Sequence, residues 1–402
     1  MEENDDAVVL NLFQNFNYRK MIKPAKRLET VQEYYFSKKL REVRALAAAG
    51  KPIINMGIGS PDLLPPTKVI NAIQQSFNDA TAHKYQSYQG LPALRNAIAE
   101  FYKHKFNVTV NPSNEILPLM GSKEGIMHIS MAFLNEGDEV LIPNPGYPTY
   151  TSVTKLVGAT PVFYELDEDH EWQPNIEAIE KLDLSKVKIM WVNYPHMPTG
   201  TNALKETFEK LVAFGKKHQI LIVNDNPYSF ILNNNPLSIL QVEGAKEIAL
   251  ELNSMSKTFN MAGWRVGMVL GNSTYIDQIL KVKSNMDSGM FYGIQKGAIE
   301  ALHLSDEWFL EQNKVYEERR KLIWQLADKL KCTYHKNTSG LFVWAKIPEG
   351  KKSEEMTDAI LYDNNIFISP GTVFGSQGEG YIRFSLCVST AIIEEAINRF
   401  AS

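Results

Sequence analysis

The chain has 402 residues, 44% hydrophobic and 22% charged, with a formal net charge of −4. That length exceeds one typical domain and predicts two lobes. The slightly acidic balance argues against a nucleic-acid-binding surface, and no apolar run reaches the ~18 residues of a membrane span.

The N-terminus, MEENDDAVVL, is acidic, unlike signal or transit peptides. The two cysteines, Cys332 and Cys387, fit neither a CxxC motif nor metal-ligand spacing, so no metal centre is expected. So few thiols suit a reducing compartment, and the expected location is the cytoplasm.

Residues 1–30 lack periodicity and read as an arm. From 31 to 50, VQEYYFSKKLREVRALAAAG has a helical pattern that stops at Gly50. Short apolar runs then alternate with helical stretches. EVLIP (139–143), KIMWVNY (188–194), ILIVND (220–225) and IALELNS (248–254) read as buried parallel strands, with a helix over 203–218. This layering predicts an α/β fold with a mostly parallel central sheet. A helical pattern runs through 276–302. Beyond 306 come a charged helix, two hairpin-like strands, GLFVWAKIP and GYIRFSLCV, and a final helix. The expected division is an arm and helix over 1–50, a large domain over 51–300 and a smaller α+β domain over 301–402, with the N-terminal segment joining the smaller one.

Ligands of open α/β sheets sit beyond the C-terminal strand ends, and those ends carry unusual residues here. ILIVND closes on Asp225, with Tyr228 three residues later. IALELNS leads into Ser254 and Lys257, and no other charged residue occurs between Asn253 and Trp264. EVLIP opens into NPGYPTY, which contains Tyr147. Gly121-Ser122-Lys123 precedes an apolar helical pattern, whose free N–H groups form a phosphate cradle. A lysine, a carboxylate, a tyrosine, a phosphate cradle and a following arginine, Arg265, together suit pyridoxal 5'-phosphate. Taken singly, each has a simpler reading: helix cap, turn residue, core aromatic or ion pair.

From about residue 52 to the C-terminus the chain resembles the class I/II aminotransferases, fold-type-I pyridoxal-phosphate enzymes. SMSKTFNMAGWRVG is similar to the family's S-x-S-K…G-x-R-x-G signature, and the other motifs follow in the family's order. The resemblance implies a large domain with a seven-stranded type of sheet. Lys257 would form the Schiff base with the cofactor. Asp225 would pair with its ring nitrogen, Tyr228 would bond its ring oxygen and Tyr147 would stack on the ring. Ser122, the Lys123 backbone, Ser254 and Arg265 would hold the phosphate, with Ser256 a weaker candidate. Arg383 in GYIRFSL would clamp the substrate carboxylate, and Gly59 in GIGSPD would let the backbone approach it. Tyr85 in YQSYQGLPALR would reach the phosphate of a partner subunit, implying a homodimer with shared active sites. The implied activity is amino transfer from an L-amino acid to a 2-oxo acid by a ping-pong cycle.

One position departs from the pattern. The family usually has Asn before PTG, donating to the ring oxygen; NYPHMPTG has Met197 there. A thioether cannot donate, so the lysine–cofactor linkage is expected to be more basic unless Tyr228 suffices or His196 or Asn193 reaches in. Aspartate-type relatives can recruit a distal-carboxylate arginine from the partner's segment just before the SG step. KVKSNMDSG (281–289) offers Lys281 and Lys283 there but no arginine, which disfavours a dedicated dicarboxylate enzyme. A C–S β-lyase or related synthase would use the same Lys257, Asp225 and Arg383. A non-catalytic cofactor-binding regulator is the reading from another class, and no basic recognition helix precedes the first motif.

Overall fold

The computed structural model describes residues 22–31 and 33–400. The proposed arm lies mostly outside these residues. In chain order the strands are β1 (Ile54–Asn55), β2 (Ile116–Leu119), β3 (Glu139–Asn144), β4 (Thr160–Glu165), β5 (Val187–Val192), β6 (Leu221–Asp225), β7 (Ala249–Ser254) and β8 (Gly267–Gly271). They are followed by β9 (Thr333–Tyr334), β10 (Phe342–Lys346), β11 (Ile366–Phe367), β12 (Ser369–Pro370) and β13 (Tyr381–Ser385).

The large sheet has seven strands in the order β2-β8-β7-β6-β5-β3-β4. Neighbours from β7 through β4 are parallel, and β8 runs antiparallel to both β7 and β2. Its central strands are apolar because both faces are covered. Alternate residues divide between two cores. Ile189, Trp191, Val223, Leu250 and Leu252 pack toward the helices Ser122–Phe133, Pro148–Leu156 and Ser273–Lys283. Met190, Val192, Ile222 and Ala249 join the larger core on the opposite face.

A second, antiparallel sheet is ordered β12-β13-β10-β9, and the long helix Asp306–Lys329 precedes it. The segment assigned from sequence to the large domain begins differently. Ile54 and Asn55 pair in parallel with Ile366 and Phe367, so the chain enters through the C-terminal part. The expected N-terminal helix spans Tyr35–Ala48, and Gly50 follows at φ +86°. The 276–302 pattern is two helices, Ser273–Lys283 and Tyr292–Leu302, broken where Gly289 adopts φ +87°. Among the described residues, no helix is long and apolar enough to cross a membrane.

Candidate active site

A cavity of about 450 Å³ opens beyond the C-terminal ends of β3, β5, β6 and β7. Eleven of the twelve cofactor and substrate candidates singled out above, Ser256 included, line it; Tyr85 does not, and is 91% exposed.

At the end of β6, Asp225 is buried and accepts a hydrogen bond from the Tyr150 hydroxyl at 2.9 Å through Oδ2. Its Oδ1 has no partner. Burial pushes its pKa up to about 7, against the lowering effect of Tyr150. Tyr150 is fixed by stacking on Trp191 at 5.0 Å, and Tyr147, the N-cap of the same helix, meets Tyr150 edge-on at 5.6 Å. Tyr228 lies on the same side, its ring 6.0 Å from that of Phe342.

At the end of β7, Ser254 caps the short helix Met255–Thr258 by accepting from the Ser256 N–H at 3.1 Å. One turn on, Lys257 Nζ donates to the Gly59 carbonyl. Desolvation holds the Lys257 amine below the ordinary lysine range; nearby Arg383 and Arg265 lower it further, and Cys387 opposes them. Arg265 adopts φ +56° and donates to Ser256 Oγ at 3.3 Å and to the Ala262 carbonyl at 3.0 Å. Ser256, the weaker candidate in the sequence, therefore sits with Arg265 on the cavity wall.

The wall expected from sequence to cradle a phosphate is shaped by two glycines. Gly121 has φ +90°, and a Cβ there would come 2.0 Å from Arg265 Nη2. A Cβ on Gly267 would come 2.7 Å from the Ser122 nitrogen. Ser122 starts the helix Ser122–Phe133, and Lys123 places its Nζ 4.6 Å from the Tyr34 ring centre.

Arg383 on β13 is buried, and among the described residues no carboxylate forms a salt bridge with it. It donates to the Gly57 carbonyl at 2.8 Å and contacts Met197 Sδ at 3.3 Å, while its Nε has no partner. The rings of Phe342, Phe374 and Phe36 surround the guanidinium at 3.8, 4.5 and 5.7 Å. Desolvation lowers its pKa to about 10. Gly59 is required here by a ring: its Cβ would come 2.2 Å from Phe342 Cζ.

The possible substitutes for the missing Asn do not reach in. Asn193 lines the cavity, but its amide donates to the Asp225 carbonyl and accepts from the Met197 N–H at 2.9 Å. His196 is buried outside the lining, with Nδ1 on Thr199 Oγ1. Within one subunit neither lysine of KVKSNMDSG lines the cavity, and the resemblance would bring that segment from a partner. Lys281 is on the surface, and Lys283 is 1% exposed and bonded to Asp287 at 2.8 Å. Glu124, His128 and Asp287 are close enough to share a metal ion, but the Lys283 ammonium already occupies the carboxylate of Asp287. Sequence reasoning missed Tyr34, Phe36, Phe374 and Tyr150; only Tyr150, three residues after Tyr147, carried a local signal.

The donor set fits pyridoxal phosphate. Four basic side chains (Lys123, Lys257, Arg265 and Arg383) and one acid, Asp225, line one cavity, matching the cofactor's phosphate together with the carboxylate of an amino-acid substrate. The unpartnered Asp225 Oδ1 suits a protonated ring nitrogen.

The family model for aminotransferase class I and II matches residues 51–400. The LL-diaminopimelate aminotransferase of Maridesulfovibrio salexigens is 39% identical over 94% of this chain and 98% of that protein. Its counterpart from Natranaerobius thermophilus is 40% identical over 93% and 98%. Substrate-bound BacF from Bacillus subtilis superposes with a TM-score of 0.91 at 32% identity, covering 94% of this chain and 97% of that one. A Thermus thermophilus aspartate aminotransferase mutant, at 24% identity, shares the fold with a TM-score of 0.88 over 95% and 99%. The chain belongs to the class I and II aminotransferase family and is a pyridoxal-phosphate-dependent aminotransferase, moving an amino group between an amino acid and a 2-oxo acid.

Proposed function

We propose that Lys257 carries the cofactor and serves as the proton-transfer group of a ping-pong aminotransferase whose amino donor is LL-diaminopimelate or a closely related amino acid. The donor assignment rests on the names of the sequence relatives. This donor carries a second carboxylate, so it runs against the expectation drawn from KVKSNMDSG, which offers lysines but no arginine for that group. The observation that carries the site reading is the convergence of Lys257, unpaired Arg383 and half-partnered Asp225 on one cavity.

When bound, the cofactor supplies an aldehyde that captures the substrate amine and a ring that accepts the electron pair released at the α-carbon. The backbone N–H groups at Ser122 and Lys123, the hydroxyls of Ser254 and Ser256, and the Arg265 guanidinium would hold the phosphate. Asp225 Oδ1 would keep the ring nitrogen protonated, Tyr228 would donate to the ring oxygen, and Tyr147 would cover the ring face. Arg383 orients the substrate by its α-carboxylate. That directs the α-hydrogen toward Lys257 Nζ, which takes the proton as a base and returns it as an acid. The lowered pKa of Lys257 suits both roles. The phenyl rings around Arg383 exclude water and strengthen its attraction for the carboxylate.

The working unit we propose is a cytoplasmic homodimer in which Tyr85 reaches the partner's phosphate site. What supports it is the surface around that residue. Exposed Phe77 and Phe291 lie 5.7 Å apart, Met286 is 59% exposed, and Gly289 abuts the Gln86 carbonyl.

The deciding experiment is borohydride reduction of cofactor-loaded protein followed by peptide mapping, with the label expected on Lys257. A parallel amino-acid panel should convert the cofactor absorbance fastest with LL-diaminopimelate. Label on another lysine would overturn the site, whereas conversion by other donors alone would overturn only the substrate.

A further inference from the structure

The strip from Gly57 to Asp62 ties together groups on which the reaction depends. It leaves β1 fastened to the C-terminal part, with the Met56 N–H on the Phe367 carbonyl at 2.8 Å and the Ser385 N–H on the Met56 carbonyl at 2.8 Å. The Gly57 carbonyl then accepts from Arg383 Nη2 and from Ser369 Oγ at 2.9 Å. Two residues later the Gly59 carbonyl accepts from Lys257 Nζ. The strip ends at Asp62, whose two oxygens meet Arg319 Nη1 and Nη2 at 2.7 and 2.8 Å.

Arg319 belongs to the helix Asp306–Lys329, is 3% exposed and does not line the cavity. Its Nη1 also donates at 3.0 Å to the carbonyl of Leu386, three residues beyond Arg383. One guanidinium therefore holds the far end of the strip serving Lys257 and the chain just past the carboxylate clamp.

We propose that Arg319 and Asp62 are a positioning pair that sets the separation of Lys257 and Arg383 to the carboxylate-to-α-hydrogen spacing of an α-amino acid. The idea rests on the assignment of Arg383 as carboxylate clamp and Lys257 as proton carrier. A substrate must place its carboxylate on one and its α-hydrogen on the other, and a displacement of about 1 Å in such a pairing is costly. Arg319 is buried while Asp62 is exposed at the far end of the strip, so the carboxylate is brought to the guanidinium from the surface and anchors the strip against the helix. A planar fork binding carboxylate and carbonyl together fixes direction as well as distance, which a lysine ammonium does not.

The test compares Arg319→Lys and Asp62→Asn with Arg383→Lys in cofactor-loaded enzyme, below the melting temperature of every variant. For the two positioning variants we expect kcat with both amino donor and oxo acid to fall about 10-fold, with KM within roughly 3-fold and cofactor affinity unchanged, whereas Arg383→Lys should raise KM. Unchanged kcat with only a lower Tm would make the pair structural and overturn the proposal. Loss of cofactor affinity in both variants would also overturn it, since the pair lies on the substrate side. If Arg383→Lys itself left KM unchanged, the carboxylate-clamp reading would fall, and the proposal with it.

Discussion

Asp225→Asn in the cofactor-free protein isolates the cost of a buried carboxylate. In the unfolded chain this side chain ionises near 3.8, and in the folded cavity near 7. Well below 3.8 it is protonated in both states and contributes nothing. Between about 4 and 7 the unfolded state releases its proton first, so rising pH favours unfolding. Above 7 the whole penalty is present, roughly 4 kcal/mol for a carboxyl displaced that far. An unfolding entropy scaled to this chain length makes that roughly 5 °C in Tm. Asn cannot ionise and escapes the penalty. The Tm of Asp225→Asn minus that of wild type should therefore rise by about 5 °C from pH 4 to pH 8, and subtraction removes every other titrating group. With cofactor bound the order should invert, because the ring nitrogen then rewards the ionised form. Parallel melting curves across the pH range would refute the reasoning.

Three further outcomes are expected. Tyr150→Phe removes the donor that lowers the Asp225 pKa, so the midpoint of that difference curve should move up by about one pH unit. Met197→Asn places an amide donor in the slot beside Arg383, and the pH at which the lysine-bound cofactor changes absorbance should fall by about one unit; coincident titrations would argue against it. Gly121→Ala meets a left-handed φ and Arg265 together, so cofactor affinity in a fluorescence titration should weaken by about 10- to 100-fold. Gly263→Ala, with open space around its Cβ, should leave that affinity unchanged.

Much of the site was readable because parallel strands end abruptly. Apolar runs closing on Asp225 and Ser254 marked where β6 and β7 leave the core, and polar residues just beyond them faced one crevice. Other strands lacked that contrast. Pro118 interrupts β2, Gly267 and Gly271 bound β8, and β4 is partly exposed with Pro161 within it. Residues arriving from distant segments were invisible for a different reason. Tyr34 and Phe36 belong to an amphipathic N-terminal stretch whose pattern says that one face is buried, not where. Lys283, offered by the sequence as a cation for a distal carboxylate, is instead buried against Asp287 one turn later.

The substitution at 197 acquires a meaning from the company of Arg383. A buried guanidinium without an acid is costly to maintain, and here three phenyl rings, one carbonyl and one thioether share its neutralisation. The thioether is the weakest acceptor in that set. An incoming carboxylate can therefore take over Nη1 at the expense of a sulfur contact alone, while Nη2 keeps the Gly57 carbonyl and the strip leading to Lys257 stays in register. An amide at the same position would hold the arginine more firmly and would also offer a donor to the ring. The Met197→Asn variant accordingly bears on two properties at once. Its cofactor titration reports the ring, and its KM reports how tightly the clamp is held before substrate arrives.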